Sequence, residues 1–243
     1  MSENPRPSLA DLLAYLGEMG YGDLYLDPSG AAAPASAPAA ASAPDVAASP
    51  ETAERAAELA ALAATAAACT RCRLCEGRTQ VVFGAGNPAA DLMFIGEGPG
   101  AEEDRRGLPF VGAAGELLTR IIQAIEMTRD EVYIANVVKC RPPGNRDPQP
   151  DEVAACRGYL ERQIALVRPK VIVALGKVAA QTLLGNDAPI GRMRGQWFRV
   201  QGVPTMVTYH PAALLRNSAL KRPTWEDMQQ VRDFLRTGIS GSA

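Results

Sequence analysis

The stretch DLMFIGEGPGAEED, residues 91 to 104, joins a run of large apolar side chains to an acidic loop rich in glycine. The apolar run contains no alternating polar residues, which is typical of a strand buried on both faces of a parallel sheet. Three later runs share this character: VYIANVV (132 to 138), KVIVALG (170 to 176) and TMVTYH (205 to 210). Together the four runs predict the strands of one sheet.

Helical patterns separate these strands, near residues 113 to 126, 151 to 167, 177 to 184 and 224 to 236. Strands that alternate with helices build α/β proteins, in which helices cover both faces of the sheet. The sequence therefore predicts a single three-layer α/β/α domain with a central, mostly parallel four-stranded sheet. A short hairpin that turns at Gln201 and Gly202 is expected before the last strand.

The N-terminal part of the chain has a different composition. In residues 1 to 30, a capping serine precedes four leucines that share one face of a predicted amphipathic helix: Ser8, Leu9, Leu12, Leu13 and Leu16. Residues 31 to 50 are almost entirely alanine, proline and serine, so we expect a disordered linker. Residues 51 to 243 form the predicted domain, which begins with a helix over 51 to 68. An isolated short helix is unstable, so we expect the first segment to bind the domain or a protein partner.

Composition and charge limit the function classes. Hydrophobic residues make up 47% of the 243 residues, which is enough for a buried core, and no apolar run approaches the length of a membrane span. The start of the chain lacks the basic and hydrophobic segments of a secretory signal, so we expect a bacterial-type cytoplasmic location. Residues 1 to 68 carry a net charge of −7, which leaves +5 on the rest of the chain. A weakly basic body is compatible with a nucleic-acid partner.

Polar residues gather where the predicted strands end. The loop GEGPGAEED follows the first strand, Asn136 closes the second, Lys177 follows the third and His210 ends the fourth. Ligands of open α/β sheets bind beyond the carboxyl ends of the strands. His210 is the only histidine in the chain, so a reaction that needs an imidazole has no other source. The convergence predicts an active-site cleft that includes His210.

The acidic loop does not match the common phosphate-binding motifs. It lacks the G-x-G-x-x-G spacing with a later acidic residue, and no glycine-lysine-serine or glycine-lysine-threonine ending is present. Its carboxylates would repel a pyrophosphate: Glu97, Glu102, Glu103 and Asp104. Glycines let a backbone approach a ligand closely, and nearby carboxylates stabilise positive charge. Cleavage of a glycosidic bond develops such charge on the sugar, so it is the favoured chemistry.

Five cysteines occur, at positions 69, 72, 75, 140 and 156. In a cytoplasmic protein a disulfide framework is not expected, and a Cys-x-x-Cys followed by a distant second pair indicates a metal site assembled by the fold. Cys140 lies in a basic, proline-rich loop, which is a poor place for a buried structural thiol. Spacing alone leaves zinc and an iron-sulfur cluster both open, and the first pair is either Cys69 with Cys72 or Cys72 with Cys75.

Four motifs, GEGPGAEED, GLPFVG, NVVKCRPPGNRDPQPDEVAAC and HPAALLRN, together resemble family 4 of the uracil-DNA glycosylase superfamily, the iron-sulfur uracil-DNA glycosylases. The resemblance extends from about residue 69 to about residue 236. It implies a [4Fe-4S] cluster held by Cys69, Cys72, Cys140 and Cys156, with Cys75 as an additional cysteine. It also implies a DNA-repair enzyme that flips uracil out of single- or double-stranded DNA and hydrolyses its N-glycosidic bond, leaving an abasic site.

The resemblance further implies roles for residues that bind the base. Phe110 is similar to the family's aromatic residue that stacks under uracil. Asn136 resembles the residue that reads the uracil edge, because its carboxamide can accept from N3–H and donate to O4, whereas cytosine presents the reverse pattern. His210 would donate to uracil O2 as the leaving group gains negative charge. Leu214 would fill the space that the flipped nucleotide vacates.

Glu97 is the first choice for positioning the attacking water and stabilising the sugar cation. Gly98, assigned to the base pocket, stands where the better-known branch of the superfamily has an aspartate, so Glu103 is a second candidate. Glu103 is expected either to activate water or to close the pocket against the methyl group of thymine. Five basic residues are candidates for phosphate contacts: Lys139, Arg141, Arg146, Lys177 and Arg216.

Three alternatives accompany this interpretation. One is a binding or redox-sensing module without catalysis, which has no need of Glu97, Asn136 and His210. Another is a zinc-bound α/β protein of unrelated function. The third is a sister family that reacts covalently through a histidine in an inserted basic loop, but no second histidine and no such insertion are present. The favoured interpretation is a monofunctional uracil-DNA glycosylase that acts as a monomer.

Overall fold

A computed structural model describes residues 49–238, which form an α/β domain. The predicted helix within residues 1–30 and all but the last two residues of the predicted linker 31–50 lie outside this range. Pro50, the last residue of that predicted linker, already begins the first helix, where Ser49 caps it by accepting a hydrogen bond from Thr52 N. In chain order the elements are α1 (Pro50–Ala67), α2 (Leu74–Gly77), β1 (Ala85–Gly86), β2 (Leu92–Gly96), α3 (Ala101–Arg106), α4 (Ala113–Ala124), β3 (Tyr133–Asn136), α5 (Pro150–Val167), β4 (Val171–Leu175), α6 (Lys177–Leu184), α7 (Ile190–Met193), β5 (Trp197–Val200), β6 (Val203–Thr208), α8 (Pro211–Arg216) and α9 (Lys221–Thr237), with short 3₁₀ helices at Pro143–Asn145 and Ser218–Leu220.

The strands form a six-stranded sheet in the order β1-β3-β2-β4-β6-β5. The four predicted strands make up its parallel centre, and both edges are antiparallel. The predicted hairpin is confirmed, because Val200 of β5 pairs with Val203 of β6 across the expected turn. The predicted number of four strands is wrong: the hairpin arm β5 joins the same sheet, and the two-residue β1 is too short to produce a sequence pattern.

Helices cover both faces of the sheet, as the three-layer prediction requires. Alternate residues of β2 point to opposite sides: Leu92 and Phe94 pack with α4 and α9, whereas Met93 and Ile95 pack with α1 and α5. All residues of β2, β3 and β4 are buried, which explains their uninterrupted apolar sequence. In the described part of the chain, no helix is long and apolar enough to cross a membrane.

Because the central strands are parallel, the loops that follow them begin at the same edge of the sheet. Gly96 at the end of β2 pairs with Asn136 at the end of β3, and Gly176 follows β4 and bonds to the carbonyl of Thr208 at the end of β6. His210 lies two residues beyond Thr208, where it caps α8. The predicted convergence of strand ends is therefore present.

Candidate active site

A cavity of about 400 Å³ opens at the carboxyl ends of β2, β3 and β6. Seven of the eight residues predicted for catalysis or substrate binding line it: Glu97, Gly98, Glu103, Phe110, Asn136, His210 and Arg216. They come from four separate segments of the chain, and the fold brings them together. Leu214 is the exception.

Asn136 presents an unpaired acceptor to this cavity. The residue is 1% exposed, and its Oδ1 is buried with no hydrogen-bond partner. A buried amide oxygen without a partner costs free energy, so such an atom in a cavity indicates that a ligand donates to it. Gly96 lies directly opposite and leaves room for the amide, since a Cβ there would lie 2.5 Å from Asn136 Oδ1.

The Phe110 ring forms an apolar wall of the same cavity. Its centroid lies 5.5 Å from that of the His210 imidazole, and the residue is 6% exposed. Phe110 has a φ of 52°, a left-handed conformation that is unfavourable for a residue with a side chain. Gly115 permits this turn, because a Cβ at that position would overlap the Phe110 carbonyl group.

Glu103 holds the loops around the cavity. Its Oε1 accepts hydrogen bonds from Val111 N (2.8 Å) and Gly112 N (2.9 Å), and its Oε2 accepts from Gly100 N (3.1 Å). A carboxylate engaged by three main-chain donors is poorly placed to activate water, so this expectation for Glu103 needs correction. The side chain instead fixes the turn that carries Phe110, and Arg129 supports that turn from its other side by donating to the Pro109 carbonyl.

His210 is held as a neutral hydrogen-bond donor. Its Nδ1 accepts from Ala212 N at 3.1 Å, which leaves the proton on Nε2. Burial and, to a lesser extent, the charge of Arg216 lower the pKa of the imidazole to about 4, with Glu103 opposing the shift. The imidazole is therefore uncharged at neutral pH, and its Nε2–H is free of the bond that Nδ1 makes.

Glu97 is partly buried and titrates near neutrality. Burial and, to a lesser extent, the charge of Asp147 raise the pKa of its carboxyl to about 7, with Lys177 acting in the opposite direction. Asp147 and Asn145 line the same cavity, and neither was predicted as a site residue from the sequence. The sequence offered a clue to both residues. They lie in the loop between Cys140 and Cys156, and the predicted metal site brings the two ends of that loop together.

Gly98 lies where a side chain has little room. A Cβ at this position would be 2.7 Å from Cγ2 of Val138 and 3.7 Å from Cδ of Pro142. The resemblance places an aspartate of the better-known branch at this position, and here the loop after β3 leaves no room for such a side chain. Glu97 therefore remains the candidate for contacts with the attacking water and the sugar.

Leu214 does not reach the surface. It is 1% exposed and packs in the core with α4 and α9, whereas the next residue, Leu215, is 49% exposed. Both residues lie on α8, where consecutive side chains point in different directions, so Leu214 faces the core and Leu215 faces the solvent. The expectation that Leu214 enters the base stack is corrected: among the described residues, Leu215 and Leu108 are the large apolar side chains that are exposed.

Two of the five basic candidates are engaged within the domain. Lys139 is 2% exposed, and its Nζ donates to the Asn136 carbonyl oxygen and to Gln163 Oε1. Burial lowers the pKa of this amine to about 7. Arg146 donates two hydrogen bonds to the buried carboxylate of Glu152. The structure therefore corrects the expected phosphate contacts of Lys139 and Arg146, and leaves Arg141, Lys177 and Arg216 as candidates.

All five cysteines line one small cavity beside α5: Cys69, Cys72, Cys75, Cys140 and Cys156. Hydrogen-bond donors approach the sulfur atoms: Arg78 Nη1 lies 3.3 Å from Cys140 Sγ, and Lys139 N lies 3.3 Å from Cys156 Sγ. Within residues 49–238, no three histidine, cysteine, aspartate or glutamate side chains are arranged to hold a single metal ion. The cysteines thus surround a common space without forming a site for one ion.

Comparison with known proteins agrees with these features. A family model described as the uracil DNA glycosylase superfamily matches residues 83–229. A type-4 uracil-DNA glycosylase of Sulfurisphaera tokodaii is 45% identical over 172 residues, which cover 67% of this chain and 78% of the relative. One of Thermotoga maritima is 45% identical over 171 residues, covering 68% and 88%. A type-5 uracil-DNA glycosylase of Pyrobaculum aerophilum is 31% identical over 163 residues, covering 60% and 71%.

Proposed function

The chain belongs to the uracil DNA glycosylase superfamily, and from this membership we infer that it removes uracil from DNA by hydrolysing the N-glycosidic bond. The products are free uracil and an abasic site, so the enzyme performs the first step of base excision repair. Its similarity to type-4 proteins is greater than its similarity to the type-5 protein described above. The observation that carries the proposal is the buried, unpaired Oδ1 of Asn136 in the strand-end cavity.

Asn136 reads the edge of the base. Its Oδ1 accepts from uracil N3–H, and its Nδ2 donates to uracil O4. Cytosine has an acceptor at N3 and a donor at N4, so a fixed Asn136 carboxamide meets two mismatched groups. Leaving two buried polar groups unpaired is a strong basis for rejecting cytosine. The Phe110 ring supports the face of the base. Glu103 holds the turn that carries Phe110 and so keeps the ring in place.

Bond cleavage separates a uracil anion from a sugar cation. His210 donates from Nε2 to uracil O2, where the negative charge accumulates, and a neutral imidazole is sufficient for this hydrogen bond. Glu97 in its ionised form stabilises the sugar cation and orients the water that attacks it. Asp147 and Lys177 lie close enough to Glu97 to influence its ionisation, in opposite directions.

When a nucleotide flips out of DNA, a protein side chain fills the gap that it leaves in the base stack. Leu215 is exposed, lies five residues beyond His210, and is adjacent to the exposed Arg216. We assign to Leu215 the insertion into the base stack that the sequence had suggested for Leu214. Arg216, which lines the cavity mouth, and the exposed Lys177 are available for phosphate contacts.

The cysteine cavity fits an iron-sulfur cluster better than a zinc ion. A tetrahedral zinc site needs four sulfur atoms, each about 2.3 Å from one centre, and no ion-sized group of three ligands is present in the described range. A four-iron cluster is held by four cysteine thiolates, and the five cysteines that line this one cavity can supply them. We propose Cys69, Cys72, Cys140 and Cys156 as ligands of a [4Fe-4S] cluster.

The cluster would act on the protein as a structural crosslink. Cys140 and Cys156 bound the segment that includes Asn145 and Asp147, both at the cavity, so ligation at its two ends would fix this segment against the Cys69–Cys72 turn. Metal binding would also replace the protons of thiols whose pKa burial raises, as it does for Cys72, Cys140 and Cys156. No step of uracil release is assigned to the cluster.

The remaining parts of the proposal concern assembly. We propose that the domain of residues 51 to 243 acts as a monomer on single- or double-stranded DNA, in the cytoplasm with the chromosome. The N-terminal segment of residues 1 to 30, joined by the linker, is proposed to bind the domain or a protein partner. We propose that residues 1 to 50 are not required for the chemistry, because the lining residues within the described range 49–238 lie between Glu97 and Arg216.

The proposed function is tested with oligonucleotides that contain one uracil, either single-stranded or paired with guanine or adenine. Protein with a full complement of iron is incubated with each substrate, and abasic sites are cleaved with alkali. We expect strand cleavage at the uracil position and none in matched oligonucleotides that contain thymine or cytosine. Absence of cleavage in all uracil substrates would contradict the proposed function.

A further inference from the structure

We propose that Lys139 is a positioning residue for base recognition, whose side chain ties the main chain of Asn136 to the segment held by the cysteines. The inference rests on the proposed function and deepens it, because it assigns a direct connection between the cysteine-bearing segment and the residue that reads the base. Lys139 does not line that pocket and has no assigned part in the chemistry.

Lys139 is an unusual residue in the core. It is 2% exposed, and its Nζ donates to the Asn136 carbonyl oxygen at 2.7 Å and to Gln163 Oε1 at 2.5 Å. In residues 49–238 no carboxylate forms an ion pair with it. Burial of an unpaired ammonium group is costly, and an apolar side chain would fill the same space at lower cost. The two hydrogen bonds, together with the Phe83 ring whose centroid lies 5.8 Å from Nζ, are therefore the contacts that distinguish lysine from such a side chain.

The main chain of Lys139 belongs to the cysteine segment. Its N–H donates to Cys156 Sγ at 3.3 Å, its carbonyl accepts from Val82 N at 2.8 Å, and the next residue is Cys140. The Lys139 backbone is thus held by its hydrogen bond to Cys156 and by its peptide bond to Cys140. From this position the side chain reaches back three residues to the end of β3, so the two sites share one short segment.

The Asn136 carbonyl needs a donor from outside the sheet. At the edge of the sheet β1 pairs with Tyr133 and Ile134, and within residues 49–238 no strand residue pairs with Asn136 on that side. The Lys139 ammonium provides the hydrogen bond there, while the next two residues bond to the opposite neighbour through Val137 N to Gly96 O and Val138 N to Glu97 O. Both sides of the strand end are therefore held, and the carboxamide, which has no internal partner at Oδ1, takes its position from this backbone.

The experiment compares Lys139→Met with Gln163→Met. Both substitutions remove the bond between Lys139 and Gln163, but only the first removes the bond to the Asn136 carbonyl. Inhibition by free uracil reports on the base pocket without DNA, and iron content, visible absorbance and melting temperature report on the cluster and the core. At equal iron content, we expect Lys139→Met to weaken inhibition by uracil about tenfold or more and to lower kcat, whereas Gln163→Met leaves inhibition near the wild-type value.

Each outcome decides the proposal. Equal inhibition by uracil in wild type and Lys139→Met would overturn it, and an equal loss in Gln163→Met would assign the effect to core packing and overturn it as well. If Lys139→Met does not yield folded protein, Lys139→Gln takes its place, with the same predicted loss and the same contradicting result. Failure of the wild type to release uracil would instead overturn the proposed function, so the two failures are distinguishable.

Discussion

Gly96 and Asn136 stand opposite each other in the parallel pairing of β2 and β3, and the Asn136 carboxamide uses the space that Gly96 leaves free. A Cβ at Gly96 would lie 2.5 Å from Asn136 Oδ1 and 2.6 Å from Cζ of Phe110. One glycine therefore sets the distance between the amide that reads the base and the ring that supports it. Neither neighbour can move away easily, because Asn136 is buried in a strand and Phe110 lies in a strained turn.

Replacement of this glycine is expected to damage the pocket more than the fold. In Gly96→Ala the added methyl group displaces the amide or the ring, and a misplacement of about 1 Å lowers rates on the order of a hundredfold. Single-turnover release of uracil measures the effect. Gly158→Ala is the matched control, since nothing lies within 4 Å of a Cβ at that helical position. A normal rate in Gly96→Ala would show that the close approach has no functional consequence.

The pH dependence of the reaction is expected to follow Glu97. Its raised pKa of about 7 means that the carboxyl is mostly protonated below neutral pH and mostly ionised above it. If the ionised form is required, kcat rises with pH through about 7, and Glu97→Gln lowers kcat and removes this rise. His210 contributes no change near neutrality, because its pKa of about 4 keeps it neutral there. A wild-type profile that is flat around pH 7 would argue against the assignment of Glu97.

Adjacent leucines on α8 are expected to differ in their effects. Leu214→Ala leaves a cavity in the core and lowers the free energy of unfolding by about 2–5 kcal/mol. Leu215→Ala removes an exposed side chain, so stability stays within about 0.5 kcal/mol of wild type, while uracil release from duplex DNA falls more than release from single strands. Thermal unfolding and rates on both substrates separate the two residues. Equal duplex and single-strand losses in Leu215→Ala would contradict the role in base flipping.

Much of this fold followed from local sequence, but some of the site did not. The buried parallel strands were predictable because short, uninterrupted apolar runs between helical segments are typical of strands covered on both faces. Asn136 and His210 were predictable because they end such runs. Strand β1 was missed because two residues carry no periodicity. Its shortness matters nevertheless, since it leaves the Asn136 carbonyl to Lys139.

The errors in the site have a common physical cause. Lys139 and Arg146 appear as free cations in a basic loop, and only tertiary contacts show that one is buried and that the other binds Glu152. Leu214 and Leu215 are chemically identical neighbours, so the rotation of a short helix decides which one faces the core. Sequence identifies the residue types near a site, whereas burial and hydrogen-bond partners decide their roles.

The fifth cysteine provides a test of the ligand assignment. We expect Cys140→Ser to lose the broad visible absorbance of an iron-sulfur cluster and to lower the melting temperature, because it removes a ligand at the start of the Cys140–Cys156 segment. Cys75→Ser is expected to keep both properties. Iron and sulfide analysis of the purified variants accompanies the absorbance measurement. Loss of the cluster in Cys75→Ser, with retention in Cys69→Ser, would shift the first ligand pair to Cys72 and Cys75.

The central claim is that Asn136 reads uracil, and the most direct test is single-turnover release of uracil by Asn136→Ala at wild-type iron content. Removal of both hydrogen-bonding atoms of the carboxamide is expected to lower the rate about a hundredfold or more. Asn186→Ala is the matched control, because that asparagine is exposed, does not line the cavity, and its side chain accepts a hydrogen bond only from the nearby Ala188 N. A rate close to wild type in cluster-bearing Asn136→Ala protein would contradict the account.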